Sequence, residues 1–208
     1  MNLIGCMVLG GLLASVSSAV AQQGHRQTDR LISRADRALR SIGEAKEQLQ
    51  TTLAIYNSIF EGGGDTRRIH RDLTRAIDRT EDRREDVRRR VGDMESEAHT
   101  FFAQWMKSLD EISSESLRQR SQARLNETRV RYGEILAEGR TASAMFEPLM
   151  GALRDQGIFL GHDLNPSAIA SLKPDADKLN AQAESLLSGI ERTQSKISDY
   201  IASLKPSE

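Results

Sequence analysis

The sequence predicts an all-α protein, an elongated antiparallel four-helix bundle or coiled coil with the middle helical hairpin longest. Three observations predict it. Small and apolar residues recur in steps of 4 and 3 along most of the chain, the spacing that puts them on one helical stripe. Three short breaks rich in Gly, Ser or Gly-Asn-Pro divide that pattern into four long segments. Aromatic residues are only 4% of the 208 and charged residues are 28%, which suits long helices with one wet face better than a sandwich. Formal net charge is −1, so no global field draws the protein to nucleic acid or an anionic membrane.

The first residues read MNLIGCMVLGGLLASVSSAVAQQ. Leu3 to Val16 is apolar but too short to span a bilayer. Ala19-Val20-Ala21 supplies the small-x-small pattern of a cleavage site. Residues 1–21 therefore read as a cleaved secretory signal, and 22–208 as a single helical-bundle domain. That implies a periplasmic location. No Lys or Arg precedes the apolar run. Either the terminal amine supplies the charge or the true start lies further upstream. Leu3-Ile4-Gly5-Cys6 resembles a lipid-attachment box, but the residues after Cys6 stay apolar, which favours plain export over lipid anchoring. If Cys6, the single cysteine, leaves with the signal, then disulfides, thiolate catalysis and zinc–thiolate sites are excluded.

The first helix is predicted over about 26–60. Its seam runs from Leu31 through Ala35, Ala38, Ile42, Ala45, Leu49, Thr52 and Tyr56 to Ile59 without a break. Ile32, Leu39, Leu53 and Phe60 widen it, as packing against two neighbours requires. Gly62-Gly63-Gly64 ends it, since glycine costs roughly 1 kcal/mol inside a helix. Asp65 is an N-cap for the second helix, about 66–112. There the seam starts at Ile69, Leu73 and Ile77, fades through Arg83 and Arg84, and returns at Val87, Val91 and Met94. Ser113 to Ser116 offers the next break.

The third helix, about 116–161, carries Leu125, Tyr132, Ile135, Gly139, Ala142, Phe146, Leu149, Leu153 and Leu160 on its seam. Pro148 lies inside it and predicts a kink near 144–148. The fourth, about 166–204, keeps strict heptads from Ile169 to Leu204, with Pro174 placed to kink or restart it. Short connections favour up-down-up-down packing. At a rise of about 1.5 Å per residue the middle pair is roughly 65–70 Å long and projects beyond the outer pair at its 113–116 tip.

Each candidate site competes with a plainer reading. Residues 67–90 hold ten arginines and six acids. They form either a patch for phosphate, lipid headgroups or an acidic partner, or a solvated face laced with local ion pairs. Acid-before-base spacing at Glu81/Arg84, Glu85/Arg88 and Asp86/Arg90 favours the solvated face. In FFAQWM (101–106), Phe101 and Trp105 fall on the seam while Phe102 and Met106 are off it. Phe102, Trp105 and Met106 are the candidate partner surface at the tip. A di-iron site would need Glu-x-x-His on two helices, and no His has a Glu three residues before it. C-x-x-C-H and G-x-S-x-G are absent too. The sequence assigns no catalytic residue, no cofactor and no metal ligand.

The most distinctive run is RDQGIFLGHDLNPSAIASL, 154–172. Gly161 is placed to end a helix in the left-handed conformation, Asn165 to cap the next, and Pro166 to open it. His162 and Asp163 fill the loop. Adjacent residues rarely point at each other, so these five read as a structural corner rather than a base and its orienter.

This run, with EAKEQLQ at 44–50, FFAQW at 101–105, SLRQRSQARLNETRVRY at 116–132 and Pro148, resembles family 2959 of the domains of unknown function. The resemblance covers most of the chain in the same order. It implies a signal-bearing coiled-coil protein of the bacterial envelope and assigns no catalytic residue. This chain has Gly157 and Gly161 where the pattern has Val and Lys, and Pro166 where it has a small residue.

The leading expectation is a non-enzymatic structural or protein-interaction module of the periplasm. Its partner is another envelope protein or a second copy, since periodicity leaves open whether seams pair within or between chains. The alternative is an extracytoplasmic ligand-binding or sensory bundle, which needs a cavity near Pro148 or Gly139. A third is membrane-surface contact through the Arg-rich face.

Overall fold

Glycine at position 62 ends the first helix for a conformational reason. Its φ is +73°, a region that costs other residues a Cβ clash. In a computed structural model the chain is described over residues 13–62 and 65–205. Five helices follow one another there: α1 (Leu13–Glu61), α2 (Thr66–Asp110), α3 (Glu115–His162), α4 (Pro166–Ser171) and α5 (Lys173–Leu204). The described residues contain no strand. Asp65 caps α2 by accepting from the backbone N–H groups of Arg67 and Arg68. Cys6 and most of the apolar run at the N-terminus lie outside the described residues.

Each long helix packs on its neighbour in sequence, and α5 closes the ring against α1. This is the expected up-down-up-down bundle. α1 has 49 residues, α2 has 45, α3 has 48 and α5 has 32. The first helix starts before residue 26, at Leu13 among the described residues, and runs through Gly24 without a break. Lys196 of α5 pairs with Glu134 of α3 at 3.0 Å, and α5 ends soon after, at Leu204. The first turns of α3 therefore run past its end. The middle hairpin outreaches α5 but not α1.

The seams are buried much as their spacing requires. Leu31, Ala35, Leu49 and Tyr56 of α1 and Leu179, Leu186 and Ile197 of α5 are shielded from solvent. Pro148 is accommodated inside a continuous α3. The predicted fourth helix is two: α4 ends in a turn at Leu172, and Pro174 sits in the first turn of α5. There its missing N–H costs nothing.

The apolar interior falls into two clusters. One lies toward the 62–65 and 163–165 end and includes Leu49, Tyr56, Leu73, Leu149, Leu153 and Leu179. The other lies toward the tip and includes Leu31, Met94, Phe101, Leu125, Tyr132 and Tyr200. Ile190 packs on both.

Candidate functional site at the waist of the bundle

Between the two clusters the core thins. Seam positions there are small: Ala45 on α1, Gly139 and Ala142 on α3. On α2 the apolar pattern lapses at Arg83 and Arg84. The side chains supplied cannot fill the layer, so Ala45, Val87, Val91, Gly139, Phe146 and Ile190 are only half-buried. A cavity of about 260 Å³ results. Its floor is Ile42, Ala45 and Leu49 of α1 with Leu186, Ile190, Thr193 and Ile197 of α5. Its polar rim comes from α2 and α3: Arg84, Arg88, Glu95, Arg140 and Ser143. The opening therefore lies between α2 and α3. The volume exceeds that of an engineered apolar cavity of about 150 Å³ that holds benzene, and approaches the lower end of small-molecule pockets, about 300 Å³.

Cross-helix contacts close the α2–α3 groove on both sides of this opening. On one side Arg84 pairs with Glu147 at 2.9 Å, and Arg154 pairs with Glu81 and Glu147. The bond to Glu81 holds the Arg154 guanidinium above its ordinary pKa. On the other side Phe102 packs edge-on against Tyr132 at 5.7 Å, and the Trp105 indole N–H donates to Ser121 Oγ at 2.9 Å.

Arg84 brings a guanidinium to this site from α2. Its guanidinium lies 5.1 Å from the centre of the Phe146 ring, a cation–π contact. Its Nε is buried and has no hydrogen-bond partner among the described residues. Burial, then the carboxylate of Glu95, push the Tyr132 phenol above its ordinary pKa. The Tyr132 and Tyr200 hydroxyls are buried without a partner among the described residues.

The residues singled out in the sequence separate. Phe102 is 7% exposed and belongs to the core, because α3 covers the flank of α2 on which it lies. Trp105 is half-buried and hydrogen-bonded. Met106 remains 45% exposed, with the Arg129 guanidinium donating to its sulfur at 3.0 Å. Of the three, Met106 alone presents a large apolar surface. The Arg-rich stretch is heavily ion-paired, though not as its spacing suggested. Glu85 does pair with Arg88 at 3.2 Å. Glu81 and Arg84 instead reach α3, and Asp86 pairs with Arg83 and Arg89.

At the 161–166 corner, Asn165 accepts from the Ala168 N–H at 2.8 Å and Pro166 opens α4. Asp163 accepts from the Asn165 backbone N–H at 3.3 Å, and His162 and Asp163 are exposed. Gly161 differs from its expected role. It is helical, inside an α3 that runs to His162, and its φ is not positive. A Cβ there would lie 3.3 Å from the His70 ring, so the glycine makes room for α2.

A cavity near Gly139 is what the ligand-binding alternative requires, and Gly139 lines this one; Arg84 stands out in the sequence only as a member of the Arg-rich stretch. The signals were a seam that fades at Arg83–Arg84 and a glycine at seam position 139. Among the described residues no group of three His, Cys, Asp or Glu could hold a metal ion. No helix among them is long and apolar enough to cross a membrane.

No curated protein and no solved structure matches the chain. One family model, described as a protein of unknown function (DUF2959), matches residues 17–204. That match spans α2 to α5 entire and all but the first turn of α1, so the chain belongs to the DUF2959 family.

Proposed function

We propose that this protein is a non-enzymatic, extracytoplasmic helical module that holds a small apolar ligand at its waist. The cavity between the two core clusters carries the reading. A bundle that only braces or spaces would gain stability by filling that layer, because an unfilled cavity costs roughly 24 cal/mol per Å³. The signal-like N-terminus supports export. Native mass spectrometry of the chain purified from the envelope tests the proposal. A small-molecule adduct is expected on the natural chain and none on Gly139→Leu, which fills the space. An unliganded natural chain, with no adduct restored by envelope lipid extract, counts against it.

A second reading is an interaction module acting through the tip. Met106, 45% exposed on the outside of α2 near the end of the hairpin, favours it. A photo-crosslinker at position 106 should capture an envelope protein or a second copy. Capture only at random control positions removes that reading.

A further inference from the structure

The cavity has a chemical character as well as a volume. Its interior offers aliphatic and small side chains and one aromatic ring. Its mouth offers guanidinium groups. A ligand matched to both has an apolar body and an acceptor-bearing head. The head's place is set by Arg84, whose buried Nε–H has no acceptor among the described residues. A buried donor left unpaired carries an uncompensated desolvation penalty, so a ligand oxygen placed there relieves it. Arg88 also lines the rim, one turn along α2.

The other charges sort by position. Glu95 lies about 16 Å along α2 from Arg84, at a rise of about 1.5 Å per residue. It belongs to the tip side, where it acts on Tyr132. Arg140 also lines the rim and makes no ion pair among the described residues. The register set by Arg84–Glu147 and Phe102–Tyr132 places it level with the Glu95 side of the opening. At the Arg84 end Glu147 takes the Nη1 side of the guanidinium, which leaves the Nε–H as the donor open to a ligand oxygen.

The opening is also bounded. Ion pairs close the groove at Arg84 and ring contacts close it at Phe102. The cavity of about 260 Å³ is smaller than one turn of a helix about 10 Å across, which separates this site from a docking groove. A flexible single chain can enter end-on. We infer that the waist takes a single-chain amphiphile with an anionic head, an alkyl carboxylate of medium length. Its chain lies between Ala45, Gly139 and Ile190, and its carboxylate accepts from Arg84. The inference rests on the ligand-binding reading above and adds the ligand's class.

Calorimetric titration of the purified full chain with three ten-carbon probes tests it: decanoate, decanol and decyltrimethylammonium. Decanoate should bind saturably at one site, decanol at least fivefold more weakly, and the cationic probe weakest. Arg84→Met should weaken decanoate about tenfold and leave decanol within about twofold. Gly139→Leu should abolish both. At Gly139 a Cβ meets only Thr193 Cγ2, at 3.8 Å, so this variant has room to fold. If neither decanoate nor decanol binds, the ligand-binding reading and this inference both fall. If decanol or the cationic probe matches decanoate, the cavity still binds apolar chains but the anionic head is wrong. If decanoate binds equally to Gly139→Leu, its site lies elsewhere and the inference is overturned. These probe comparisons use the natural chain, so they decide the head group even if a variant fails to fold.

Discussion

The His70 ring of α2 donates through Nε2–H to the carbonyl oxygen of Gly157 on α3, at 2.8 Å. The same ring lies 3.3 Å from where a Cβ on Gly161 would stand. One histidine and two glycines thus dock α2 on the last turns of α3. This predicts a measurable coupling. His70→Ala should destabilise the bundle by about 1–2 kcal/mol through the lost hydrogen bond and contact. Gly161→Ala in the natural chain should gain little, because the ring must shift. In the His70→Ala background it should stabilise by about 1 kcal/mol, the helix-propensity difference. A double-mutant cycle by chemical denaturation measures this, and additive effects would exclude the coupling.

Gly139 should accept an added methyl, whereas Gly189 should not accept a larger side chain. Gly139 faces open space at the waist, with one ordinary contact at 3.8 Å. Gly139→Ala should stabilise by about 1 kcal/mol. Gly189 is buried against α3, and a Cβ there would meet Ala142 Cβ at 3.5 Å and its Cα at 3.8 Å. Gly189→Leu should cost about 1–3 kcal/mol by overpacking. Urea midpoints of the two variants check the contrast.

Stability should be insensitive to pH around the phenol range from below, then fall. Burial raises the pKa values of Tyr56, Tyr132 and Tyr200 above the ordinary value. In the unfolded chain these phenols ionise near about pH 10. Above that pH the unfolded state holds fewer protons than the folded one, so the sign is a loss of stability with rising pH. Their contribution is fully present below about pH 10 and disappears as pH climbs toward the folded-state values. Tyr132→Phe with Tyr200→Phe should flatten the alkaline limb. It should also leave stability at neutral pH unchanged or raised, since both hydroxyls lack a partner among the described residues. Thermal melts between neutral and strongly alkaline pH read both effects.

Caps at the two ends of the connecting segments should matter by about 1 kcal/mol each. Asp65→Ala removes acceptors for the Arg67 and Arg68 N–H groups. Asn165→Ala removes the acceptor for Ala168 N–H. Asp65→Asn should recover most of the first loss. Hydrogen exchange at the first turns of α2 and α4 localises the effect.

Much of this bundle was readable from spacing. The heptads of α1 and α5 predict their buried faces almost position by position, and Gly62, Asp65, Asn165 and Pro166 punctuate the chain as their chemistry requires. What spacing could not carry was cross-chain geometry. Gly161 looks like a helix terminator until the His70 ring is seen against it. Phe102 lies off the seam of α2, yet α3 covers that flank. Glu81 and Arg84 have the spacing of a local pair but each finds a partner on α3. The candidate site was half visible. Gly139 on the seam and the lapse at Arg83–Arg84 were both noted, but only packing brings them to the same level, and an unfilled volume has no residue to announce it.

The split interior has a further consequence for how the molecule comes apart. Each half holds its own cluster of buried leucines and aromatics, and Ile190 is a shared member. Two clusters joined across a thin waist predict two units of opening, which hydrogen exchange along α1 and α5 would resolve. One end can fray and re-form while the other stays protected from exchange. An occupant at the waist would touch both units and make them open together, so its effect would appear as sharper, single-step melting as well as a higher midpoint.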